Sequence, residues 1–160
     1  MAHKMMVALD ASTGAWNAVE YVARTFGQTP GVEVNLLHIL TGLPPALWDD
    51  GHILEEKERE ARQRLKAQWQ ADQEKKWQGL VVKATETLTA AGIPAAAVAA
   101  KFKPKYFDVA EDLVNEAVTA GCSTVVMGRR GQGKAKALLL GSVTAKVVQN
   151  ARGVAVIIVG

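Results

Sequence analysis

The segment from Gly128 to Ser142, GRRGQGKAKALLLGS, has the residue types best suited to binding an anion. It follows an apolar run that ends at Met127, has glycines at positions 128, 131, 133 and 141, and leads into a helical pattern. Glycine lets backbone N–H groups approach a ligand closely, and the first N–H groups of a helix have no partner within the helix. The pattern predicts a phosphate-binding turn; the alternative is a flexible loop in which Ser142 only caps the helix.

Two common phosphate motifs almost match this segment. Gly128-x4-Gly133 followed by lysine has Walker A spacing, but Ala135 stands where that motif needs a hydroxyl group to hold magnesium. Gly131-x-Gly133 would need a glycine at position 136 to complete the dinucleotide fingerprint, and that residue is Lys136. These mismatches argue against a P-loop NTPase and against Rossmann-type NAD binding.

Charge is unevenly distributed along the chain. The 160 residues carry 19 Lys and Arg against 16 Asp and Glu, yet residues 117–160 contain six basic side chains and no acidic one. Basic surfaces that bind nucleic acid usually include aromatic residues for stacking, and none follows Phe107. A small phosphorylated ligand is therefore preferred over nucleic acid.

Strand and helix patterns alternate in the order β-α-β-α-β-α-β-α-β. The predicted strands cover residues 4–9, 32–40, 97–102, 123–127 and 154–159, and the predicted helices cover residues 12–26, 53–91, 108–120 and 142–150. Helical crossovers imply parallel strands, and ligands of such sheets bind beyond the carboxyl ends of the strands. We therefore predict an α/β fold, a three-layer open twisted parallel five-stranded sheet with helices on both faces.

The helix predicted over residues 53–91 is unusually long. At 1.5 Å per residue it would measure about 58 Å, more than the diameter of a small domain. We expect either a bend or break near Gly79 or a first half that projects from the domain.

Length and composition favour one globular domain over residues 1–160. Hydrophobic residues make up 49% of the chain, enough for a single core. No apolar run reaches the roughly 20 residues needed to cross a bilayer, and Asp10 interrupts the first run before it could form a signal-peptide core. We expect a cytoplasmic protein without membrane contact.

One cysteine and three histidines do not supply the ligand spacing of a structural zinc site.

Two further residues could do chemistry, but are expected to be structural. His38 lies inside an apolar strand pattern, which favours a packed histidine over a general base. Cys122 precedes a buried-type strand, which favours an inert thiol over a redox sensor.

The full spacing Gly128-x2-Gly131-x9-Gly141-Ser142 resembles the nucleotide-binding signature of the universal stress protein family, in the branch that binds ATP. KMMVALDAS is similar to the first strand and acidic turn of that family, and VNLLHIL to its second strand. VVMGRRG and GSVTAKVVQNA resemble its C-terminal core. The resemblance implies a Rossmann-like sheet of the adenine nucleotide alpha hydrolase type.

The resemblance also implies a ligand and its binding residues. The ligand would be ATP or another adenine nucleotide, with Mg²⁺. The positions that match the family's nucleotide-binding residues are Ala8, Asp10, Ile39, Met127, Gly128, Gly131, Gly141, Ser142, Val143 and Thr144. Ala8 and Ile39 would enclose the adenine, and Asp10 would hold the ribose or a phosphate-bound metal. Met127 and Gly128 would lie beside the ribose, and the remaining five residues would form the phosphate cradle.

The sequence thus predicts a cytoplasmic ATP-binding universal stress protein that acts as a nucleotide-dependent regulatory or stress-response module with an unidentified protein partner. One alternative is a slow Mg²⁺-dependent ATPase or phosphotransferase. The other is a nucleotide-free stress protein that acts through protein contacts.

An apolar strand begins at Val154 and ends at Val159. If this strand lies at the edge of the sheet, its unpaired backbone groups would promote aggregation unless another subunit covers them. We therefore expect a homodimer through this strand, which the resemblance also implies.

Overall fold

The computed structural model describes residues 2–130 and 139–160, in which five strands alternate with four α-helices. The strands are β1 (His3–Ala8), β2 (Val32–Leu40), β3 (Val98–Pro104), β4 (Thr124–Gly128) and β5 (Ala155–Val159). The helices are α1 (Thr13–Phe26), α2 (Glu56–Ala90), α3 (Val109–Thr119) and α4 (Ser142–Asn150). Short 3-10 turns lie at Pro45–Leu47 and Ala95–Ala97. The predicted alternation is confirmed, with most boundaries shifted by only a few residues.

The five strands form one parallel sheet in the order β3-β2-β1-β4-β5. The chain moves outward from β1 to β2 and β3, and then returns to the other side of β1 to form β4 and β5. This reversal leaves a crevice between the carboxyl ends of β1 and β4, where ligands of such sheets bind. The predicted α/β fold is thereby confirmed.

Two hydrophobic cores lie on opposite faces of the sheet. The core under α1 and α2 includes Val7 of β1 and Leu88 of α2, and the core under α3 and α4 includes Met6 of β1 and Leu113 of α3. Successive strand residues point to opposite faces, so β1 supplies side chains to both cores. Burial on both faces explains the apolar runs of the three central strands β2, β1 and β4, whereas the edge strands β3 and β5 are more exposed.

The long helix α2 runs without interruption for 35 residues, through Gly79. The expected break near Gly79 does not occur, and the pattern of burial agrees with the other expectation, a first half that projects from the domain. The buried residues of α2 are Trp77, Ala84 and Leu88, all in its second half. The cost of a mid-helix glycine, about 1 kcal/mol, is too small to break a helix anchored by these contacts. Leu65, in the first half of α2, is 57% exposed.

None of the helices in the described residues combines the length and the apolar character that a membrane span requires.

Candidate functional site

A cleft of about 500 Å³ opens at the carboxyl ends of the central strands. Nine of the ten residues predicted from the sequence line it, namely Ala8, Asp10, Ile39, Met127, Gly128, Gly141, Ser142, Val143 and Thr144. The tenth, Gly131, lies outside the described residues. Residues that are up to 136 positions apart in the sequence therefore meet around one cavity because the parallel strands end at the same edge of the sheet.

One side of the cleft is the tight turn between β1 and α1. The carboxylate of Asp10 accepts a hydrogen bond from the Ser12 N–H at 2.7 Å. The Ser12 hydroxyl oxygen in turn accepts from the Ala15 N–H at 3.1 Å and caps α1. These two bonds hold Asp10 at the edge of the cleft, where its carboxylate can accept further hydrogen bonds from a ligand.

The floor of the cleft is apolar. Leu37 and Ile39 come from β2, Met127 from β4 and Leu113 from α3, and all four are buried. A cleft with such a floor and a few polar groups at its rim is typical of sites that bind small molecules with a flat apolar part.

The opposite side of the cleft is the start of α4. Its N-cap is Gly141, so Ser142 is the first helical residue, and the alternative in which Ser142 caps the helix is wrong. Since glycine has no capping side chain, the N–H groups of Ser142, Val143 and Thr144 are not capped by residue 141. They lie at the positive end of the helix dipole, where an anion is stabilised.

Thr144 has a structural role that its sequence position did not reveal. Its side chain is only 2% exposed, and its hydroxyl donates to the carbonyl oxygen of Gly128 at 3.0 Å. The hydroxyl therefore joins the first turn of α4 to the end of β4. Only the backbone N–H of Thr144 is left to contact an anion.

Comparison with protein-family models shows a match to the universal stress protein family over residues 1–159. The chain belongs to this family. Comparison with curated proteins gives no match.

Solved structures with the same fold include universal stress protein UspA from Lactobacillus plantarum, at 13% identity and a TM-score of 0.71, covering 100% of this chain and 99% of that one. A universal stress protein from Archaeoglobus fulgidus in complex with dAMP has 17% identity and a TM-score of 0.61, covering 100% and 98%. A universal stress protein in complex with cAMP has 17% identity and a TM-score of 0.57, covering 99% and 96%. At these identities the likeness shows the fold.

The two residues expected to be structural are packed in this universal stress protein. His38 Nδ1 lies 2.9 Å from the carbonyl oxygen of Leu9, and its ring stacks on Phe102 with the centroids 5.6 Å apart. A bond to a carbonyl oxygen requires the proton on Nδ1. Cys122 is buried, accepts a hydrogen bond from Asn35 Nδ2 at 3.4 Å, and has a raised pKa because burial disfavours the thiolate.

Some residues of the cleft were missed by sequence reasoning. They are Leu9, Ser12, Ala15, Leu37, His38, Thr41, Val109 and Leu113 as lining residues, and Arg130, which we considered only for its charge. A usable signal existed for Ser12 and Thr41, since each follows closely after a strand that ends at the cleft. Leu37 and Leu113 gave no such signal, because apolar residues that line a cleft and apolar residues of the core follow the same sequence pattern.

Proposed function

We propose that this universal stress protein binds an adenine nucleotide, preferentially ATP, in the cleft and acts as a nucleotide-dependent regulatory module in a stress response. The observation that carries the proposal is the pairing of an apolar floor with an uncapped helix start in one cleft of about 500 Å³. The apolar floor suits a purine ring, and the N–H groups of the uncapped helix start suit phosphate.

Each part of the nucleotide has a matching part of the cleft. The purine would lie against Ala8 and Ile39, the ribose hydroxyls would donate to Asp10, and the phosphates would accept from the backbone N–H groups at the start of α4. Gly128 supports this arrangement because, without a side chain, it lets the start of α1 pack directly on the end of β4 beside the cleft. Two structural neighbours are complexes with the adenine nucleotides dAMP and cAMP, which favours the same ligand class here.

Magnesium would enter with the phosphates. Within residues 2–130 and 139–160, no group of three or more His, Cys, Asp and Glu side chains is placed to hold a metal ion. Mg²⁺ is commonly bound through one or two carboxylates, substrate phosphates and water, so Asp10 is a sufficient protein ligand in the alternative in which it binds the metal instead of the ribose.

A binding role is favoured over a catalytic one by the bonding of the titratable groups. Asp10 and His38 both line the cleft and both already contact the backbone, at Ser12 N–H and Leu9 O respectively. Neither of these side chains is hydrogen-bonded to a serine, threonine or cysteine side chain of the described residues, so the cleft shows no activated nucleophile there. We therefore propose a switch whose occupancy changes affinity for a protein partner in the cytoplasm.

The test is calorimetric titration of nucleotide-stripped protein with ATP and Mg²⁺, preceded by mass spectrometry of the small molecules released on denaturation. We expect released adenine nucleotide and binding in the micromolar range. Asp10→Ala should weaken binding by about 10- to 100-fold, the loss of a hydrogen bond to a charged group. Asp72→Ala, a change on the exposed face of α2, is the matched control.

The possible results separate the three functions. No nucleotide and no binding would refute the proposal and favour a protein that acts through contacts alone. Conversion of ATP to ADP over hours, lost in Asp10→Ala, would instead indicate the slow ATPase.

We also propose a homodimer through β5. This strand pairs with β4 on one side and lies at the edge of the sheet. Its Ile158 is 36% exposed, so this edge strand also presents an apolar side chain to solvent. Pairing with a second copy would satisfy the open backbone edge and cover this side chain.

A further inference from the structure

Gly14, the second residue of α1, is in unusually close contact with the chain that leaves β4. A Cβ atom built on Gly14 would lie 2.1 Å from the carbonyl oxygen of Arg130 and 3.4 Å from the Cα of Gly128. A Cβ built on Gly128 would lie 2.4 Å from the carbonyl carbon of Gly14. Backbone therefore packs directly on backbone at this crossing, and neither glycine has space for a side chain.

The helix itself gives no reason for a glycine at position 14. Glycine is among the poorest helix formers, because it loses the most backbone freedom on folding. The glycines with positive φ include Gly31, Gly42 and Gly121, but not Gly14. Its backbone conformation is therefore open to any residue, and the contact with residues 128–130 is what requires glycine.

Residues 128–130 form part of the wall of the proposed nucleotide cleft, and they are held from several directions. The Arg129 N–H donates to the Val159 carbonyl at 2.8 Å, and the Arg129 carbonyl accepts from the Gly141 N–H at 3.0 Å. These bonds attach the segment to β5 and to the start of α4. The contact with Gly14 adds a third support, from α1.

We propose that Gly14 is a positioning residue for phosphate binding, an inference that rests on the proposed function. By allowing α1 to touch the Arg130 carbonyl, Gly14 sets the position of residues 128–130, and the bond between Arg129 and Gly141 transmits that position to the start of α4. A side chain at position 14 moves this wall. The purine end of the cleft, formed by Ala8 and Ile39, lies on β1 and β2 and does not share these contacts.

The experiment compares the affinities for ATP and for adenosine, which has no phosphate. We expect Gly14→Ala to weaken ATP binding by at least about tenfold, the equivalent of one hydrogen bond to a charged group, while adenosine binding changes less than about twofold. Gly79→Ala is the matched control, since a Cβ built there meets nothing within 4 Å, and it should leave both affinities unchanged.

Equal losses for ATP and adenosine would reduce Gly14 to a residue that supports the fold, and would overturn the inference. Unchanged ATP binding in Gly14→Ala would overturn it as well. Wild-type protein that binds neither compound would refute the proposed function, and the inference with it. Failure of the proposed function can be told from failure of the inference, because in the first two results the wild-type protein still binds ATP.

A second measurement uses the wild type alone, and so does not depend on the folding of the variant. In NMR titrations, the Gly14 amide and Hα resonances should move more with ATP than with adenosine, because phosphate binding acts on the segment that Gly14 touches. Gly79 is the internal reference, and its signals should stay in place with both compounds. Gly14 resonances that respond equally to the two compounds would overturn the inference.

Discussion

Replacing Thr144 with valine tests the link between β4 and the start of α4. Valine has nearly the same volume as threonine but cannot donate the 3.0 Å hydrogen bond to the Gly128 carbonyl, and the site is 2% exposed. Leaving a buried acceptor without its partner costs about 1 to 3 kcal/mol of unfolding free energy. In a chain of this length each kcal/mol of lost unfolding free energy lowers Tm by about 2 to 4 °C. A loss of about 2 kcal/mol, the middle of the expected range, should therefore lower Tm by roughly 4 to 8 °C.

Thr144→Ser is the control, because it keeps the hydroxyl and removes one buried methyl group. That loss costs about 1 kcal/mol, so both variants destabilise the fold. Only valine removes the bond that positions the first turn of α4. We therefore expect weaker ATP binding in Thr144→Val than in Thr144→Ser, measured by calorimetry alongside urea unfolding. Equal ATP affinities in the two variants would refute the reasoning that this bond shapes the proposed phosphate site.

Three further predictions concern charge, the sheet edge and the long helix. The hydrogen bond from Lys101, with that from Lys103, lowers the pKa of Glu116, so the stability that this carboxylate adds is present above its ordinary pKa of 4.5 and is lost as the pH falls below it. Urea unfolding at decreasing pH should show a smaller loss for Glu116→Gln than for the wild type. Ile158→Lys should convert dimers to monomers in sedimentation without unfolding the chain, and a dimer that persists would contradict pairing through β5. Gly79→Ala should raise the unfolding free energy by about 0.5 to 1 kcal/mol, since it lies on open helix surface, and a decrease would contradict the helical geometry there.

The fold could be predicted because each element carries its own local signal. The apolar strands, the capping residues Ser12 and Asp108, and the helical spacing between them are all short-range patterns. Both caps form in the structure, and the Glu111 N–H that bonds to Asp108 lowers the pKa of that carboxyl. The parallel order then follows from the crossover helices. The local pattern predicts an anion-binding turn that begins at Gly128, and it is the family resemblance that assigns Asp10 to the same site.

What could not be predicted depends on contacts between distant residues. Gly14 looks like a weak point in a helix, and its purpose is visible only when Arg130, 116 positions later, is placed against it. The hydroxyl of Thr144 looks like a phosphate ligand, and the structure shows it bonded to Gly128 instead. The continuity of α2 through Gly79 is likewise decided by burial at Trp77 and Leu88, on both sides of the glycine.

The crossing of Gly14 and Gly128 explains why the cleft can bring its parts so close together. Parallel strands lie about 4.8 Å apart, and helices that cover a sheet normally stand off by the width of their side chains. At this crossing the side chains are absent, so the start of α1 reaches the carboxyl end of β4 directly. Asp10 and Ser12 lie in the turn just before that contact, and Ser142 lies across the cleft from it. A carboxylate suited to a ribose and N–H groups suited to phosphate can therefore face one small molecule, because two glycines let the backbones meet.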